Sequence, residues 1–487
     1  MNGTREVHGS AHWLFQGGVV IDGSGASRFR ADVRVENGRI SEIGADLGLR
    51  GATRIDASGR VVAPGFIDVH THDDECVLSA PQMLSKISQG VTTVVVGNCG
   101  ISLAPLVHSN VPPPLTLLGG SDKHVFPTMQ AYAQAVDAAR PAVNVAALVG
   151  HSTLRVATMA DPYRAATRAE QAKMADLMRE AMAAGATGLS TGLFYDTNAA
   201  ADVTEVTMLA RIAAEAGGVY TAHIRNEAED VIASLDEAFT AARDAALPVV
   251  ISHHKCAGPA NWGRSVETLA HIDAARRAQP IGLDAYPYVA GSTILRPDLV
   301  DGIIEIMVTW SEPYPEMSGR SLADIAQEWQ CSQREACERL QPGGASYFQM
   351  REDDVRRVLQ YEATMIGSDG LPHDRHPHPR LWGTFPRVLG HYARELGLFT
   401  LEEAVRRMTS LSARRFNLLD RGEIAVGKHA DLVVFDPDFV IDRATYAQPT
   451  TPAAGIDSVM VSGSMTYHAQ GPTGIRAGRF LRLGTRS

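Results

Sequence analysis

Phe66-Ile67-Asp68-Val69-His70-Thr71-His72 is the stretch from which the fold is read. An apolar run leads to two histidines at i and i+2. On a β-strand that spacing points both imidazoles to one face. Imidazoles converging at a strand end present nitrogen ligands to zinc or a similar divalent ion. Ala63-Pro64-Gly65 reads as the turn that launches the strand. The pair also fits the polar face of an ordinary strand, so the surrounding sequence decides.

Outward from this strand, short β-branched runs recur near 67–69, 91–96, 144–149, 187–190, 218–222, 248–252, 281–284 and 364–367. Ala-rich helical stretches such as Ala165–Ala184 and Glu227–Ala245 lie between several of them. Eight strands alternating with helices predict an α/β chain folded as a (β/α)8 TIM-like barrel. A doubly wound sheet is the rival, but no Gly-x-Gly-x-x-Gly turn follows the first strand. The spacing breaks once, between Tyr286 and Ser368. An insertion at about 289–360, helical around Asp324–Leu340, is expected between strands seven and eight.

The ends of the chain read differently. Ala31–Val35 alternates with period two, Asn37-Gly38 gives a hairpin signal, and Arg39–Ile43 returns. Gly17–Asp22 and Ala430–Asp436 also read as strand. A small β-sandwich domain is therefore expected from both termini, residues 1–62 and 419–487, flanking a barrel over 63–418.

Chemistry in such a barrel sits at the C-terminal ends of the strands. Those ends carry His70 and His72, then Asn98-Cys99-Gly100, His151, His223, His253-His254-Lys255, Asp284-Ala285-Tyr286 and Ser368-Asp369-Gly370. Imidazoles, a thiol and a carboxylate at equivalent positions point to a metal site, and the mixture of N, S and O donors suits zinc.

Composition narrows the classes. A hydrophobic content of 45% and a charged content of 21% are those of an ordinary globular protein. The net charge of −10 argues against a nucleic-acid partner. Cys76, Cys99, Cys256, Cys331 and Cys337 form no C-x-x-C pair, which argues against a disulfide framework. No apolar run approaches roughly 18 residues, so no membrane span is expected. Met1–Gln16 shows no signal-peptide pattern, and a cytoplasmic location is the expectation.

Pro64–Asp74, Gly97–Ser102, Gly150–Arg155, Thr187–Tyr195, Thr221–Glu227, Ile251–Cys256, Asp284–Tyr288, Ile366–Arg380 and Gly422–Asp436 together resemble the amidohydrolase superfamily, and within it the N-acyl-D-amino-acid deacylase (D-aminoacylase) family. Asn98-Cys99-Gly100, Ser252–Lys255 and Ser368–His373 are the narrow signals. Many members of the superfamily place a metal-bridging lysine on strand four. Here strand four is Gly188-Leu189-Ser190-Thr191-Gly192. The resemblance implies that Cys99 bridges instead. It implies a tightly held zinc on Cys99, His223 and His253, and a weaker second position on His70, His72, Asp369 and the same Cys99. The choice of His253 over His254 rests on the family pattern; the role of His151 stays open.

The implied reaction is hydrolysis of the amide of an N-acyl-D-amino acid. Asp369 is the expected proton acceptor and donor. Lys255, Tyr286 and Arg380 are expected to bind the substrate α-carboxylate. Arg296, in the loop after strand seven, suggests a partner for a side-chain carboxylate, hence an acidic D-amino acid, glutamate ahead of aspartate. Neutral N-acyl-D-amino acids are the nearest alternative. A cyclic-amide hydrolase is disfavoured by the lysine-free strand four. A nucleobase deaminase is disfavoured by Cys99 and the carboxylate-binding set. A metal-free scaffold is disfavoured by the intact donors.

Overall fold

The computed structural model describes residues 12–485. The N-terminal residues weighed for a signal peptide therefore lie in part outside the described residues. Eight parallel strands form one sheet in sequential order: Phe66–Asp68, Val91–Val96, Asn144–Gly150, Gly188–Gly192, Val219–His223, Val249–Ile251, Ile281–Ala285 and Thr364–Ile366. The first and eighth close on each other at their C-terminal ends. Thr71 bridges Gly370 in parallel, and the Asp369 N–H donates to the His70 carbonyl at 2.7 Å. The (β/α)8 barrel and all eight strand positions agree with the sequence pattern.

Both faces of these strands are covered, which is why they read as unbroken apolar runs. Val91–Val96, for example, is buried at every position. The helices between them begin where side chains satisfy their free N–H groups. Thr167 and Glu170 form a reciprocal capping box on Arg168–Ala183, and Asp202 caps Val203–Glu215.

The two ends of the chain build the second domain. A four-stranded sheet holds Trp13–Gln16, Asp32–Glu36, Arg39–Gly44 and Thr53–Asp56. At its hairpin Asn37 and Gly38 both have positive φ, 52° and 77°, as a two-residue turn matched to strand twist requires. A seven-stranded sheet combines Val19–Val20, Phe29–Arg30 and Val61–Pro64 with Leu432–Phe435, Ile456–Val461, Ser464–His468 and Gly471–Pro472. Leu432 pairs with Pro64 and Phe435 with Val61. Phe15, Val33, Val35, Val62, Leu432 and Met460 pack between the sheets.

The insertion between strands seven and eight is a three-stranded antiparallel sheet of Gly291–Ile294, Gly343–Tyr347 and Ile306–Ser311. Its helical pattern divides into Leu322–Glu328 and Gln333–Leu340, separated by a turn in which Gln330 has a φ of 52°. Val308, Leu322, Ile325, Leu340 and Tyr347 give it a core of its own. The helix Glu352–Gln360 then returns the chain to the barrel beside Ser265–Arg276. All five cysteines are free thiols. Among the described residues, no helix is long and apolar enough to cross a membrane.

Candidate metal centre and substrate pocket

Three side chains at the barrel mouth sit on backbone that L-residues avoid. Cys99, His253 and Asp369 have φ values of 52°, 37° and 50°. A non-glycine residue there costs on the order of 1–3 kcal/mol and persists only where its surroundings enforce it. Around Cys99 the enforcement is visible. Gly97 and Gly100 flank it, and a Cβ on either would lie 2.3 Å from the Leu148 carbonyl or 2.7 Å from the Gly192 nitrogen. Ser190, where a strand-four lysine is absent, accepts the Gly100 N–H at 3.0 Å. Strand four thus contributes a clamp on the Cys99 turn.

The donor atoms converge in two groups that share one sulfur. Cys99, His223 and His253 form the first, and His70, His72, Cys99 and Asp369 the second. His253 Nε2 lies 3.0 Å from His223 Nδ1 and 3.4 Å from Cys99 Sγ. His70 Nε2 lies 3.2 Å from the same sulfur, and His72 Nε2 lies 3.2 Å from Asp369 Oδ1. Each of these residues is buried. Imidazole nitrogens, a sulfur and a carboxylate oxygen gathered this closely form donor sets that a bound cation would satisfy together. The donor set S, N, N beside N, N, S, O fits zinc at both positions.

The electrostatics agree. Burial pushes the Cys99 thiol up, but His70 and His253 outweigh it and hold the thiol well below its usual range. Burial also lowers His72, yet its bonds to Asp369 and Cys99 raise it to about 9. Asp369, opposed by burial, is held well below the carboxylate range by Arg380 and His70. Thiolate and carboxylate together make a field that favours added positive charge.

Supporting groups fix the ligand orientations, and the sequence reading missed two of them. Asp284 receives His70 Nδ1 at 3.2 Å and accepts the His253 N–H at 2.9 Å. Glu227 lies 3.0 Å from His253 Nδ1. Carboxylates behind imidazoles set which ring nitrogen faces the metal. Asp284 had a signal, a carboxylate at a strand end level with the histidines; Glu227, four residues past His223, had none. His254 points away and meets Thr268 Oγ1 at 2.9 Å. His151 pairs with Glu205 at 2.8 Å, outside both donor groups.

A cavity of about 280 Å³ opens above the donors. His72, Cys99, His223, His253 and Asp369 line it, with Lys255, Glu227 and Tyr286 also on its wall. Leu117, Phe194, Leu299, Tyr347 and Leu371 supply apolar lining. The Lys255 ammonium is 2.6 Å from Glu227 Oε1, and the Tyr286 hydroxyl has no hydrogen-bond partner. Arg380 stands behind the wall: Nη1 is 2.8 Å from Asp369 Oδ2, and its guanidinium lies 4.5 Å over the Tyr286 ring. Arg296 is not on the cavity lining. It grips Asp298 through two bonds of 3.0 and 2.9 Å and covers Phe194 at 4.7 Å.

Comparison with known proteins completes the picture. The amidohydrolase family pattern matches residues 53–302 and 329–467. A D-aminoacylase of Alcaligenes xylosoxydans xylosoxydans is 54% identical, covering 96% of this chain and 97% of its own. An N-acyl-D-glutamate deacylase of the same organism is 51% identical, covering 96% of each chain. The crystal structure of an N-acyl-D-glutamate deacylase from Bordetella bronchiseptica, complexed with zinc and a phosphonate mimic of the tetrahedral intermediate, superposes with a TM-score of 0.94 at 50% identity, over 98% of this chain and all of that one. A barrel whose two donor groups meet at one cysteine, and relatives of this likeness over nearly the full length, place the chain in the amidohydrolase family, within its D-aminoacylase and N-acyl-D-glutamate deacylase group.

Proposed function

We propose that this protein hydrolyses the amide bond of N-acyl-D-amino acids, releasing a carboxylate and a D-amino acid, with an acidic side chain preferred and glutamate ahead of aspartate. The observation that carries the reaction is the pairing of a cysteine-bridged donor cluster with Asp369 at the floor of a pocket walled by Lys255 and Tyr286. Cys99, His223 and His253 would hold a zinc ion, which when bound would supply Lewis acidity to the scissile carbonyl and to the attacking water. Asp369 takes the proton of that water and passes it to the departing amine nitrogen. Its two oxygens are already oriented, Oδ1 by His72 and Oδ2 by Arg380. A second, weaker cation position would use His70, His72, Asp369 and the same Cys99. Lys255 and the unpartnered Tyr286 hydroxyl suit the substrate α-carboxylate, and Arg380 holds the tyrosine ring from behind.

Arg296 supports the acidic side chain, as does the likeness to an N-acyl-D-glutamate deacylase. On this reading Arg296 exchanges Asp298 for the substrate. A second reading, a neutral side chain, is favoured by two observations: Leu117, Phe194, Leu299 and Leu371 line the cavity, and Arg296 is already paired. Likeness to a D-aminoacylase fits either. The test is a paired D and L library of N-acetyl amino acids assayed with zinc. Turnover confined to D-substrates, with kcat/KM higher for N-acetyl-D-glutamate than for N-acetyl-D-leucine, is expected. A clear preference for leucine establishes the second reading, and turnover of L-substrates alone sinks both.

A further inference from the structure

Lys86 lies in the short helix Leu84–Ile87 between the first two barrel strands and is fully buried. An ammonium taken out of water costs several kcal/mol unless partners compensate it. It has three: Asp68 Oδ2 at 2.9 Å, Asp73 Oδ2 at 3.2 Å and Ser368 Oγ at 2.9 Å. Asp68 precedes His70 by two residues, Asp73 follows His72, and Ser368 precedes Asp369. The lysine therefore ties together two of the three chain segments that carry the second donor group, those of His70 and His72 and of Asp369.

The grip on Asp369 is closer still. Asp68 Oδ1 accepts the Ser368 N–H at 2.8 Å. Ser368 Oγ, which receives Lys86, also accepts the Gly370 N–H at 3.3 Å. The backbone on both sides of Asp369 is thus tethered to one buried ion cluster. Asp369 itself sits at a φ of 50°. A strained conformation of this kind holds only where the surroundings over-determine it, and the Lys86–Asp68–Ser368 unit supplies that determination.

We propose that Lys86 is a positioning residue for the reaction: acting through Ser368 and Asp68, it holds Asp369 in the left-handed conformation that aims its carboxylate at His72 and the substrate. The proposal rests on the role given to Asp369 above. His223 and His253, the donors found only in the first group, take no part in it, so zinc held at that first position is an internal control. Loosened packing disturbs both positions; a lost tether disturbs one.

The test uses full-length, zinc-loaded protein carrying Lys86→Met, Ser368→Ala or Asp369→Asn. Ser368→Ala removes only the hydroxyl link and keeps the question answerable if Lys86→Met fails to fold. Each variant is read by kcat and KM, by zinc content, by melting temperature and by calorimetric titration with cadmium for the second cation position. Ser368→Ala and Lys86→Met are expected to lower kcat about 10-fold or more, with KM nearly unchanged and one zinc retained, and to weaken second-cation binding by a similar factor. Unchanged kcat and cadmium affinity in a folded variant overturn the proposal, as does a rise in KM alone or an equal loss of zinc from the first position. If Asp369→Asn keeps full activity, the proton-transfer role fails instead. Cadmium affinity then decides the positional claim: a loss in Ser368→Ala supports it, and no loss overturns it.

Discussion

At the barrel mouth, charged side chains are buried and each serves several partners. Asp369 meets His70, His72 and Arg380, and Cys99 meets His70 and His253. On the insertion, charges are paired locally and stand partly in water. Arg296 holds Asp298 two residues away, Arg320 holds Glu328, and Arg334 reaches Glu338. The first arrangement makes each group depend on its neighbours and shifts its protonation. The second leaves each pair replaceable. The coupled charges thus lie at the rim, and the locally paired ones on the insertion beside it.

Removing the rim's common member should do the most damage. Cys99→Ala deletes the donor shared by both groups, so zinc measured by atomic absorption should fall below one per chain and turnover should vanish. Retention of one tightly held zinc would show that the two groups are independent. Next in size is Asp369→Asn, which should reduce kcat by roughly 10²–10⁴-fold while the zinc on Cys99, His223 and His253 stays. Asp284→Asn should cost about 10–100-fold in activity and zinc affinity, as loss of a group that orients ligands does; zinc titration against a chelator checks it. The smallest effect belongs to the insertion. Arg296→Leu should lower kcat/KM for N-acetyl-D-glutamate about 10-fold, the worth of one charged hydrogen-bonding contact, and leave N-acetyl-D-leucine almost untouched. Should it instead reduce zinc content, the division between rim and insertion is wrong.

Strand positions, the two-ended β domain and the insertion were legible because each leaves a local periodicity or a break in one. The metal donors were legible because a barrel places strand ends on one ring, so position along the strand translates into proximity. What supports them was less so. Lys86 has no motif around it; only closure of strand one against strand eight brings Ser368 to it. Glu227 reaches His253 across the gap between strands five and six, a separation that the chain itself does not encode. Arg296 was read for its charge, and its nearby partner Asp298 went unweighed although it stood in the same loop. Strand alternation, by which only one of the adjacent His253 and His254 can face inward, also has a limit here. The sixth strand ends at Ile251 and His253 turns to positive φ, so the inward side chain is set by a turn rather than by the pleat.

The pairing of Val61–Pro64 with Leu432–Phe435 has a consequence for how the molecule is made. Val61–Pro64, just ahead of the strand that leads to His70 and His72, leaves the ribosome with Val19–Val20 already made but long before this second neighbour exists. At the usual 5–20 residues per second, the wait is roughly 20 to 75 seconds. Throughout that interval the nascent chain carries an unpaired apolar edge next to its future ligands, and the eighth strand, which brings Asp369, also arrives late. Completion of the second donor group therefore waits on the eighth strand. A stalled or prematurely released chain would emerge with Cys99, His223 and His253 all translated and still lack the segment that turns a bound ion into a working enzyme.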